Sequence, residues 1–130
     1  MRPIIVVNRP PNPLCIDFHL GFNITRDNSY VHINVKEGEL ELAIKNSFEG
    51  LNKRGGYLVG RISCIPGIEA ISLATYELNI RIEEGYNFDE IEESVVKALQ
   101  FVIPPKRKFR AAVFVDNRYH IFSKYNKPHD

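Results

Sequence analysis

Gly56-Tyr57-Leu58-Val59-Gly60-Arg61-Ile62-Ser63-Cys64-Ile65-Pro66-Gly67-Ile68-Glu69-Ala70-Ile71-Ser72-Leu73 passes from one periodicity to another within a single stretch. Leu58, Val59, Ile62 and Ile65 recur at helical spacing. Pro66-Gly67 stops them, because proline has no amide hydrogen to continue a helical ladder. Beyond the turn, residues 68–73 and Leu78-Asn79-Ile80-Arg81-Ile82 read as the two strands of a hairpin around residues 74–77. Asn87 then caps a second helix, with Glu90 placed to complete a capping-box-like pair. Asp89 and Glu90 also suit the positive end of a helix. Phe88, Ile91, Val95, Ala98, Leu99 and Val102 form its apolar stripe, and Pro104-Pro105 ends it.

Upstream, residues 3–7 form a short β-branched run, ended by the proline-rich stretch from Asn8 to Pro13, which has few donors for a ladder. Leu14, Ile16, Phe18 and Leu20 alternate with Cys15, Asp17 and His19, the pattern of a half-buried strand. Val31, Ile33 and Val35 alternate with Tyr30, His32 and Asn34 in the same way. Lys36-Glu37-Gly38 fits a three-residue hairpin loop leading into Leu40, Leu42 and Ile44. A helix over Glu39–Asn46 is the rival assignment, since Leu40, Ile44 and Leu51 also share a helical face. Residues 46–56 read as a connection rich in glycine and charge. Downstream of the second helix, residues 109–115 and 118–125 form a hairpin turning at Asp116-Asn117. A two-residue turn pairs Val113 with His120, Ala111 with Phe122, Phe114 with Tyr119 and Ala112 with Ile121. Both faces of that hairpin are then apolar, so one can cover the core while the other needs a partner. Phe114, Tyr119 and Ile121 are the candidate partner-binding residues.

The expected architecture is α+β: one layer of mostly antiparallel sheet, with a short and a long helix on one face and a C-terminal hairpin. At 130 residues the chain fits one domain over 1–130. Its 44% hydrophobic and 25% charged content is ordinary for a folded protein. A formal net charge of +1 removes the simplest argument for nucleic acid or an anionic membrane. No apolar run is long enough for a membrane span, and the start lacks the pattern of a secretory signal. Cys15 and Cys64 show no Cys-x-x-Cys spacing, so reduced, half-buried thiols and a cytoplasmic setting are expected.

Three constellations merit a chemical test. Cys15, Asp17 and His19, with His32 on the polar face of the next strand in sequence, are metal-ligating residue types. Residues two apart on a strand lie almost 7 Å apart at about 3.3 Å per residue, too far for easy chelation, so a solvated strand face is the expectation. Lys106, Arg107, Lys108 and Arg110 make a basic patch beside Phe109, with Arg118 and Lys124 across the hairpin. Such a patch could bind nucleic acid through phosphates and stacked bases, although near-neutral net charge favours a solvated positive face. Gly55, Gly56 and Gly60 follow no phosphate-loop pattern and suit close packing of a short helix. No acid, base and nucleophile converge, so neither an enzyme nor a cofactor is expected.

Residues 1–103 resemble the N-terminal domain of Nfu-type iron–sulfur scaffold proteins, the NifU-like N-terminal family. The resemblance is carried by Pro11-Asn12-Pro13 leading to the strand with Phe18, the Ile65-Pro66-Gly67-Ile68 turn after a short helix, and the hairpin strand Leu78-x-Ile80-x-Ile82 before an acid-rich helix. Departures are a helix opening Gly56-Tyr57-Leu58-Val59 where that family has a Ser-Pro-Leu-Ala-like start, and Phe88 where it often has Trp. The hairpin around Gly38 and residues 104–130 look like additions. Cluster ligation in such proteins belongs to a separate Cys-x-x-Cys module, absent from this sequence. The resemblance therefore implies a fold and a setting in iron–sulfur protein maturation, acting through protein contacts. A protein partner or self-association is the leading expectation, a nucleic-acid-binding module the second.

Overall fold

Apolar and polar residues alternate along Cys15–Leu20, Val31–Asn34 and Glu77–Ile82, which turns one apolar face of the sheet toward the core. The structure, a computed structural model, describes residues 5–35, 50–103, 111–115 and 118–121; the side chains of Phe88 and of residues 111–121 lie outside that description. In chain order the elements are β1 (Ile5–Asn8), β2 (Cys15–Leu20), β3 (Val31–Asn34), α1 (Lys53–Ile62), β4 (Ile68–Ala74), β5 (Glu77–Ile82), α2 (Phe88–Val102), β6 (Ala111–Val115) and β7 (Arg118–Ile121). The strands form one seven-stranded sheet in the order β3-β4-β5-β2-β1-β6-β7. Neighbours run antiparallel except β1 and β6, which are parallel. The α+β architecture expected from the sequence is therefore the one observed.

Ile5 and Val7 of β1, Ile16 and Phe18 of β2, and Leu78 and Ile80 of β5 are buried on one face of the sheet. They share a single core with Leu58, Val59 and Ile62 of α1 and Ile91, Val95, Val96 and Leu99 of α2. Each such side chain contributes about 1.5–3 kcal/mol when fully removed from water. Val96, which the sequence stripe omitted, is buried as deeply as Val95. Glu92 also turns inward and meets Arg9 at 3.1 Å, while Asp89 takes the same guanidinium at 2.6 Å. Burial lowers the Arg9 pKa, but these two carboxylates outweigh it and hold the group above its ordinary value. The chain just after β1 is thus tied to the first two turns of α2.

The turn that decides the fold is built as its sequence requires. The Ile68 amide donates to the Ile65 carbonyl at 3.4 Å, with Pro66 and Gly67 between. Gly67 has φ +92, and a Cβ there would lie 2.5 Å from the Tyr86 ring. Glycine is demanded twice, by the left-handed backbone and by the ring above it. Ile103, which precedes Pro104, leaves α2 with extended backbone at φ −61 and ψ 132, the conformation proline imposes on its predecessor.

The first helix corrects the sequence assignment. Residues 53–56 are helical rather than part of a connection, and Ile65 lies beyond the helix end. Asn52 is the reason for the early start: its Oδ1 accepts the Gly55 amide at 2.9 Å. Gly55 is inside the helix because a Cβ there would meet the Ile24 carbonyl oxygen at 2.1 Å. For α2 the Asn87 oxygen accepts the Asp89 amide at 2.8 Å, and no return bond from Glu90 to the Asn87 amide occurs among the described residues. The terminal hairpin is also more than an appendage, since Ile5 to Asn8 pair in register with Ala111 to Phe114. The assignments to Lys36-Glu37-Gly38, Glu39–Asn46 and Asp116-Asn117 lie outside the described residues. No helix among the described residues is long and apolar enough to cross a membrane.

Candidate functional site

The polar residues of β2 lie on the face of the sheet opposite the helices. Asp17 pairs in register with Asn79 of β5 and Asn8 of β1, and His19 with Glu77. Turned with its nitrogen toward the carboxylates, the Asn79 amide donates to Asp17 and, at 3.2 Å, to Glu77 Oε1. Partial burial pushes the Asp17 pKa up, repulsion from Glu77 adds to this, and His19 opposes it. His32 does not join this group. In the sheet β4 and β5 separate β3 from β2, a distance of about 14 Å at the usual strand spacing. Instead the His32 ring meets Ser72 Oγ at 2.6 Å and Asn34 Oδ1 at 3.1 Å. Cys15, Asp17, His19 and His32 therefore do not converge, and no metal-holding group of three such residues occurs among the described residues. β2 and β3 are consecutive in sequence but not neighbours in the sheet, which alternation alone could not reveal.

The hairpin register follows the two-residue turn: Phe114 lies opposite Tyr119, Ala112 opposite Ile121 and Val113 opposite His120. Phe114 also pairs with Asn8, so the partner-binding candidates continue the sheet beyond β1. Phe122 and the basic residues Lys106, Arg107, Lys108 and Arg110 lie outside the described residues.

The side chains that do gather are on the helical layer. An open groove of about 720 Å³ runs between α1 and α2, lined among others by Tyr57, Arg61, Cys64, Lys97, Ala98 and Phe101. Tyr57 and Phe101 stack with ring centroids 5.6 Å apart and planes 15° from parallel. Phe101 is nevertheless 78% exposed. Helical periodicity explains the arrangement: Tyr57 and Arg61 stand one turn apart on α1, and Lys97 and Phe101 one turn apart on α2. Those outward positions are the complement of the buried stripes that hold each helix to the sheet. Cys64 reaches the groove as an exposed free thiol, contrary to the half-buried state expected, with its Sγ 3.3 Å from the Gly60 carbonyl. Among the described residues, neither imidazole nor carboxylate lines the groove beside this thiol. Cys15 is half-buried and also free.

Sequence reasoning passed over this groove. The available signal was Phe101 itself, an aromatic that falls off the buried stripe of its own helix. Tyr57 was harder to place, because the glycines before it obscured the start of α1.

No protein-family model matches the chain, and no curated protein matches it. Among solved structures, protein SAV1430 from Staphylococcus aureus superposes with a TM-score of 0.44 at 10% sequence identity, covering 75% of this chain and 99% of that one.

Proposed function

We propose that this chain is a non-enzymatic protein-binding module whose docking surface is the groove between α1 and α2. The observation that carries this is the stacked Tyr57–Phe101 pair, held together yet with Phe101 78% exposed. A phenylalanine left in water forgoes about 1.5–3 kcal/mol that burial against a partner would recover. Rigid aromatic side chains are also the residues that most often anchor protein interfaces. The order of motifs shared with Nfu-type N-terminal domains supports a setting in iron–sulfur protein maturation, reached through protein contacts rather than cluster ligation.

Pull-down of native-lysate proteins with matched variants tests the docking surface. Phe101→Ala and Tyr57→Ala are expected to lose a partner that the wild type and a variant of the opposite face, His32→Ala, both retain. All must keep comparable melting temperatures. Equal capture by Phe101→Ala and wild type would show that the groove is not the docking surface.

A further inference from the structure

We propose that the occupant of the α1–α2 groove is an acidic segment of a partner protein carrying an aromatic or leucine anchor. This rests on the groove being a protein-docking surface, and it adds the chemistry of what docks. Among the described residues, the charged side chains that line the groove are Arg61 and Lys97, both cationic, and no carboxylate lines it. Arg61 has no side-chain partner among the described residues. Arg9, Arg54 and Arg81, by contrast, are engaged by Asp89 and Glu92, by Asn23 and by Glu69. Among the described residues Lys97 is held by the solvated i,i+4 contact to Glu93 at 3.6 Å, a pairing weak enough to be exchanged for a partner's carboxylate.

The layout specifies where the charges of the occupant must fall. Tyr57 and Phe101 touch, and the rest of the lining lies C-terminal to Tyr57 on the α1 side and N-terminal to Phe101 on α2. The groove therefore extends in one direction from the aromatic pair. Arg61 and Lys97 sit one helical turn along it, four residues or a rise of about 6 Å along each helix axis from the aromatic positions. An anchor packed on the Tyr57–Phe101 pair brings a carboxylate three or four residues away, on a docked helix, to the two cations. The cations then select against basic competitors as well as attracting acidic ones.

Panning a displayed library of random dodecapeptides on the wild-type protein is expected to enrich sequences that set an aromatic or leucine near two or more Asp or Glu residues. The charge-reversed variant Arg61→Glu/Lys97→Glu should bind the enriched peptide at least about tenfold more weakly. Added salt should weaken the wild-type complex. If reversal lowers the melting temperature, the neutral variant Arg61→Gln/Lys97→Gln provides the same comparison with a smaller loss. Enrichment of neutral or basic peptides, no enrichment, or indifference to charge reversal overturns the acidic occupant. Those results leave the docking surface itself to the Phe101→Ala and Tyr57→Ala comparison. Wild-type self-association that Phe101→Ala abolishes would also overturn it, in favour of a second copy of this chain.

Discussion

Two glycines in one helix show how a single side chain can have opposite effects. Alanine normally stabilises a helix interior relative to glycine by roughly 0.5–1 kcal/mol. At Gly60 a Cβ would meet nothing within 4 Å. Gly60→Ala should therefore stabilise by about that amount in urea unfolding. At Gly55 the new Cβ would press on the Ile24 carbonyl oxygen at 2.1 Å. Gly55→Ala should instead cost about 1–3 kcal/mol, because the backbone of a neighbouring segment must move. Asp17 gives a pH-dependent case. Its folded pKa is raised above the ordinary carboxylate value, so the native state binds its proton more tightly than the unfolded chain does. Stability from this group falls as pH rises through the window between the two values and stays lower above it. Asp17→Asn keeps an acceptor for Asn79 and removes that penalty. The variant should melt higher than wild type at neutral pH, with the difference closing as pH falls below the ordinary carboxylate pKa. A constant difference across that range would contradict the assignment.

At the scale of elements, the caps and ties decide where helices begin and how they sit. Asn52 both accepts the Gly55 amide and donates its Nδ2 to the Asn23 carbonyl at 2.8 Å. Asn52→Ala should cost about 1 kcal/mol in chemical denaturation, the usual loss of a helix cap. Arg9→Ala leaves Glu92, whose side chain is 5% exposed, without its guanidinium. Stripping a fully buried charge of its partner costs about 3–5 kcal/mol. Arg9 is itself 44% exposed, so water can take over in part and about 1–2 kcal/mol is expected. The second helix and both central hairpin strands were legible in the sequence, since their apolar periods, Asn87 and Pro66-Gly67 all agree. The start of α1 was not. Gly55 and Gly56 have the composition of a linker, and only the approach of Ile24 explains why Gly55 belongs inside a helix. Likewise, nothing local to His32 says that β3 pairs with β4 rather than with β2.

At the scale of the molecule, strands β1 to β5 give their apolar face to the core and keep a hydrogen-bonded polar face, while the helical layer carries the stacked Tyr57–Phe101 pair, of which Phe101 is exposed. The fold and the proposed docking surface therefore use complementary positions of the same two helices. Leu58 and Ile62 hold α1 to the sheet, and Tyr57 and Arg61 face the groove. Because Phe101 is 78% exposed, Phe101→Ala should change stability by no more than about 0.5 kcal/mol while removing partner binding. The central claim is tested most directly by placing a photo-crosslinking benzoylphenylalanine at position 101 in cells, with position 32 on the opposite sheet face as the control. A discrete protein adduct is predicted at position 101 and not at position 32. The same adducts at both positions, or none at 101 alone, would contradict the groove as the docking surface.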